Sequence, residues 1–195
     1  MMTDILLQNK SSIKKTLILS FIIINTLTIL FAGFTIYQMN SMHDKTVKAA
    51  NELLPAVIEI SFLNGNISDY RLVEFSHIAT DSDKEMIGEE AKLEAIKTKI
   101  ERNLTIIDEI VKEEETLKLY REFKSQWKEY LKESLEIISL SRQKRERDAE
   151  DKIKSISLDK FNKAKDTLNK LNELTNNLAK DSSSSSNVEF ASTLS

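Results

Sequence analysis

The side chains best suited to gripping a small acid fall in one stretch of this chain: Asn64, Arg71, Glu74 and His77. Arg71 follows Asn64 by seven residues, which puts both on one face of a helix. Glu74 and His77 then follow at steps of three, about one helical turn each. A guanidinium near a helix–helix interface can clamp a carboxylate with two parallel hydrogen bonds, the usual way to read an organic acid. These four residues are the candidate ligand contacts. The competing reading of Arg71 is a pair with a carboxylate of a neighbouring helix, or a side chain extended to water. His77 could sense pH, but a partly exposed polar position near a helix end is the favoured reading.

Other chemistry is sparse. The chain has no Cys, so thiol catalysis, disulfides and thiolate metal sites are excluded. Two histidines, His43 and His77, do not make a His-rich metal site, and no metal or cofactor is expected. Neither a phosphate-binding glycine loop nor an HExxH motif occurs, and His77 has no triad around it. The chain reads as a non-enzyme. Trp127 with Tyr120, Phe123 and Tyr130 could line an aromatic pocket, but that spacing favours core packing. Asn103, alone in an apolar stripe, is expected to fix register or to meet a polar partner across a helix bundle.

These residues must be held by helices. Of 195 residues only 3 are Gly and 1 is Pro, so hairpins and sharp turns are few. Charged residues make up 30% with signs interspersed, as on solvated helix faces. The net charge of −3 gives no reason to expect nucleic acid. Residues 1–37 hold three lysines against Asp4, a local +2, so the remainder is mildly acidic.

From Thr16 to Tyr37 the chain carries no charge. Its 22 residues would extend about 33 Å as a helix, enough to cross a hydrocarbon core of about 30 Å. A cleaved signal peptide would have a shorter apolar run and a small-x-small site, so an uncleaved anchor is the better reading. Lys10, Lys14 and Lys15 outweigh Lys45 and Lys48 narrowly, placing the N-terminus in the cytoplasm and residues 38–195 outside.

Past the anchor, apolar residues recur at steps of three and four in four runs. They are Leu53 to Tyr70, Leu93 to Ile110, Tyr120 to Ile137 and Phe161 to Leu178. Ser82-x-x-Glu85 fits a capping box between the first two. Lys112 to Glu115 and the polar run Ser141 to Asp148 mark the later breaks. The Ser141–Asp148 run reads as a solvated bundle tip, with an anionic site there the lesser alternative. Pro55 should bend the first helix or mark a fresh start. The expected fold is all-α: one N-terminal transmembrane helix continuing into an antiparallel up-down four-helix bundle. Its parts would be a leader (1–15), the span (16–37), the bundle (38–181) and a flexible serine-rich tail (182–195).

The chain resembles the four-helix-bundle sensor module of bacterial methyl-accepting chemotaxis receptors and related transducers. The likeness runs through KKTLILSF, FAGFTIYQMNSM, LLPAVIEIS, DYRLVEFSHI, FKSQWKEYL and DKFNKAKDTLNKLNEL, and covers about residues 10–180. It implies an extracytoplasmic, often dimeric input module that binds a small molecule or a ligand-loaded binding protein. An amino or organic acid is the expected ligand, and a homodimer the expected state. The second span, linker and output domain usual in the family are not found in these residues. The alternative is a membrane-anchored helical adaptor or structural protein that pairs with partner helices. Polar groups in the bundle interior would favour the sensor, since a plain rod has no need of them.

Overall fold

A computed structural model describes the backbone of residues 2–193 and the side chains of residues 14–182. Among the described residues the chain is all-helical: α1 (Met2–Lys48), α2 (Leu54–Ile78), α3 (Asp83–Ile110), α4 (Glu114–Arg142), α5 (Glu146–Lys154) and α6 (Ile156–Thr193). Contacts divide it into two compact units, residues 1–46 with 184–195 and residues 47–183.

In the first unit, the apolar side chains from Leu17 to Tyr37 are exposed all round α1. The described residues include one helical stretch long and apolar enough to cross a membrane, and it holds this segment. The polar residues within the segment turn inward on their own backbone. Ser20, Asn25, Thr26, Thr28 and Thr35 each donate to the carbonyl four residues earlier, at 2.7–2.9 Å. Each bond hides a polar group that hydrocarbon would otherwise leave unsatisfied.

The second unit is the bundle. It begins with a π turn, Ala49–Leu53, in which the Leu54 amide donates to the Ala49 carbonyl. The cause is Pro55, which has no N–H and whose ring crowds the carbonyl four residues back. Pro55 lies in the first turn of α2, the fresh start expected of it. Helices α2, α3, α4 and the α5–α6 pair then surround one core of Ile60, Leu63, Ile67, Ile100, Ile107, Phe123, Leu168 and Leu171 with their neighbours. Cross-links fix the directions. Asn103 of α3 meets Asn66 and Glu59 of α2, and Lys124 of α4 reaches back to Asp108 of α3. Lys160 of α6 binds Glu133 of α4, while Asn169 and Lys165 of α6 meet Asn64 and Ser68 of α2. Sequence neighbours therefore run antiparallel.

Three details differ from expectation. Ser82 holds the N-cap backbone of α3, but its side chain makes no capping bond, so the capping box is not closed. The polar run after Ser141 interrupts the helix only at Gln143–Arg145, where Lys144 takes φ 57°. The fourth helix is itself broken at Ser155 (φ −114°, ψ −108°), with a smaller core of Ile78, Ile137, Ala149 and Ile153 beside the break. Helix α6 runs to Thr193, through the serine run. Leu194 and Ser195, the end of the expected flexible tail, lie outside the described residues.

Candidate functional site

The core stripe of α2 is Ile60, Leu63, Ile67 and Tyr70, and its period continues into Glu74 and His77. Those two residues therefore sit where a hydrophobic side chain would normally go. Both are fully enclosed, and Arg71 beside them is 6% exposed. This corrects the partly exposed position expected of His77. The helix end is where sequence puts it, but α3 and α4 cover the imidazole.

The facing stripe of α4 matches this polarity with small hydroxyls at its own core positions, Ser134 and Ser141. Tyr70 Oη and Ser134 Oγ lie 3.1 Å apart, and the Tyr130 hydroxyl donates to Glu74 Oε2. The other carboxylate oxygen, Glu74 Oε1, is buried without a hydrogen-bond partner. Burial pushes the Glu74 pKa up to about 6, and the pull of the Ser134 and Tyr130 hydroxyls and the Arg71 charge does not reverse it. One turn on, His77 Nδ1 lies 2.9 Å from Ser141 Oγ and Nε2 lies 3.1 Å from Glu90 Oε1. Arg142 grips both oxygens of the same Glu90. That fork, with a smaller contribution from His77, holds the Glu90 carboxyl down at about 2.

Arg71 turns to the broken fourth helix. Its Nη2 donates to the Ile153 carbonyl at 2.7 Å and its Nη1 to Ser157 Oγ at 3.3 Å. The break at Ser155 leaves the last carbonyls of α5 without their usual helical amides, and a cation at a helix C-terminus is well placed to meet one. The guanidinium also lies 4.8 Å from the Phe161 ring, 5.3 Å from Phe75 and 5.8 Å from Tyr130. Neither a carboxylate pair nor extension to water describes it. Asn64, two turns earlier on the same side of α2, bonds Asn169 Oδ1 at 2.7 Å. The structure thus gathers Arg71, Glu74 and His77 into one buried polar run and leaves Asn64 apart.

Behind this run the aromatic residues pack as core. Trp127 lies 4.9 Å from Tyr130 and 5.7 Å edge-on to Tyr70, and Tyr130 lies 5.3 Å from Phe161.

A second polar region lies on the open side, between α2 and α3. There a surface groove of ≈ 300 Å³ is lined by Glu59, Phe62, Asn66, Lys99, Arg102 and Asn103. Asn103 organises it, donating to Glu59 Oε2 at 2.6 Å and accepting from Asn66 at 2.7 Å. It meets the polar partner expected of it. One edge of the groove offers a carboxylate, the other two cations, and Phe62, 60% exposed, an aromatic face. Sequence reasoning missed this region because Lys99, Arg102 and Glu59 belong to no stripe; only the lateral pairing of α2 with α3 unites them. At the bundle tip the charges mostly answer one another. Arg142 pairs with Glu90, Arg145 with Asp148 and Lys144 with Asp83.

Residues 10–190 match the four helix bundle sensory module for signal transduction. The chain belongs to that family. No curated protein matches it. The groove is open to small molecules, and the buried run bears on how the helices pack.

Proposed function

We propose that the chain is the extracytoplasmic input module of a chemoreceptor-type transmembrane transducer, working as a homodimer and reading a small amino or organic acid. The observation that carries the ligand reading is the α2–α3 groove. Glu59 Oε1 is free to accept from an ammonium group, while Arg102 and Lys99 can receive a carboxylate. Phe62 would cover the ligand's apolar part. In the conformation described, Arg71 presents its donors to protein acceptors, so a ligand contact there would require repacking. The buried Arg71, Glu74 and His77 support a sensor over a plain rod, because enclosing such groups disfavours a purely structural bundle. A ligand acts by favouring one packing of the helices over another.

Dimerisation is supported by the outer face of α2. Leu54, Ile58, Leu72 and Phe75 are exposed there at heptad a and d spacing, with Ser61, Gly65 and Ser68 at the positions between. A Cβ at Gly65 would meet nothing within 4 Å, so packing inside the chain does not call for glycine. A second copy crossing at that point would.

Two measurements on the full chain in lipid nanodiscs test these readings. Titration calorimetry against the amino acids and small dicarboxylates should find a ligand whose heat disappears in Arg102→Gln. If no acid binds, or if binding survives that substitution, the groove is wrong. Because the chain has no cysteine, Ser61→Cys can be oxidised in membranes, and a disulfide-linked dimer is expected. Thr98→Cys should react with an impermeant maleimide added outside intact cells; protection there would invert the proposed topology.

A further inference from the structure

One group in the bundle is left over by the ligand reading. Glu74 is fully enclosed at a core position, and its Oε1 has no hydrogen-bond partner. An ionised carboxylate in that place leaves an acceptor unanswered where the dielectric is low. A proton on Oε1 changes the orphan acceptor into a donor. An acceptor is close by, since the Ser134 hydroxyl already acts on Glu74 and meets Tyr70 at 3.1 Å.

We propose that the Glu74 carboxyl is a proton-binding site through which the sensory module responds to pH. The groups around it come from every element packed there. From α2 come Arg71 and Tyr70, and from α4 Tyr130 and Ser134. Glu94 of α3 acts on Tyr70, not on Glu74 itself. The α5–α6 segment presents the Ile153 carbonyl, Ser157 and the Phe161 ring, all facing Arg71. Farther along α2, His77 faces Glu90 of α3 and Ser141 of α4, with Arg142 behind. Burial moves the Glu74 titration to about 6, inside the range that a cell surface experiences.

The coupling to packing follows from these contacts. When Glu74 is ionised, its charge favours a Ser134 hydroxyl turned towards it, with Tyr70 Oη 3.1 Å from the same oxygen. When Glu74 is protonated, its Oε1 becomes a donor and that pull is lost, so the Tyr70–Ser134 pair can exchange donor and acceptor. At the same time Arg71 loses the negative charge beside it, while it holds the α5–α6 break through Ile153. One proton therefore biases the contacts of α2 with α4 and with α5–α6 together. The inference goes beyond the groove and needs no small acid.

Trp127, the only tryptophan, packs on both Tyr130 and Tyr70 and so reports on the site. Its fluorescence should be followed in the full chain, in nanodiscs, between pH 4.5 and 8. The wild type should show one reversible transition centred near pH 6. Glu74→Gln should abolish it, and Tyr130→Phe, which removes a donor to the carboxylate, should move it to higher pH. A wild type without a transition overturns the proposal, and so does a transition that survives in Glu74→Gln. Loss of the transition in His77→Gln with retention in Glu74→Gln would assign the response to His77 instead. If far-UV circular dichroism finds Glu74→Gln unfolded, Tyr130→Phe decides, and an unmoved midpoint counts against Glu74.

Discussion

Helix α2 carries polar side chains on two sides, and they meet different fates. On the inner side Arg71, Glu74 and His77 are enclosed, and nearly every valence is taken by a named atom of α3, α4, α5 or α6. On the outer side Glu59 and Asn66 join Lys99, Arg102 and Asn103 along an open groove, with only Asn103 binding its neighbours on α2. The residue types are similar and their environments are not. Burial converts polar residues into structure and raises the Glu74 titration, whereas exposure leaves them available to a ligand. A residue's ability to bind an acid is thus set less by its type than by whether the bundle has already supplied its partners.

If that contrast holds, substitutions on the two sides should differ in kind. The largest effect is expected for Arg71→Met, which keeps the apolar stem but leaves the Ile153 carbonyl and Glu74 without their cation. A loss of about 3–5 kcal/mol is expected, read by denaturant unfolding. A loss below about 1 kcal/mol would mean that the inner side is not held as described.

Glu90→Gln comes next, removing the charge that Arg142 and His77 share. A cost of about 1.5–3 kcal/mol at pH 7 follows for charged hydrogen bonds. The Glu90 pKa is lowered on folding, so its contribution is present above the ordinary value of 4.5 and lost as pH falls through about 2. Unfolding curves of wild type and variant should therefore converge at low pH; a constant gap would contradict the ionic origin.

Glu74→Gln should act with the opposite sign. A carboxyl raised from 4.5 to about 6 contributes stability that is fully present below 4.5 and lost as pH rises through about 6. The uncharged variant should be more stable than wild type at pH 7 by on the order of 1–2 kcal/mol. That advantage should shrink towards zero below about pH 5 in thermal melts taken across the range. The smallest effect on folding belongs to the groove, where Arg102→Gln should change stability by no more than about 0.5 kcal/mol.

Much of the fold was legible from period and punctuation. The four apolar runs, the breaks near Ser82 and Lys112, and the role of Pro55 all follow from local rules that the structure obeys. The break at Ser155 was not legible, because KIKSIS contains neither Gly nor Pro, and the Arg71 donor that meets the freed Ile153 carbonyl comes from α2, far away in sequence. The inner cluster was half legible. Arg71, Glu74 and His77 stand out by type, and the steps from Ile60 through Tyr70 already carry Glu74 and His77 onto the core face. Ser134 and Ser141, hydroxyls in an apolar stripe, are the complementary signal on α4.

The break at Ser155 has one more consequence, for how the bundle opens. Helix α5 has only 9 residues, below the length at which a helix holds together in water, about 12–15. It is kept in place from outside, by Ala149 and Ile153 in the small core, by Lys152 on Glu133 and Glu136, and by Arg71 on its last turn. In amide hydrogen exchange it should therefore behave as a separate sub-global unit, exchanging earlier than the middle of α2 and α4. Arg71→Met should release its amides first, so that this tip of the bundle unzips while the rest still resists exchange.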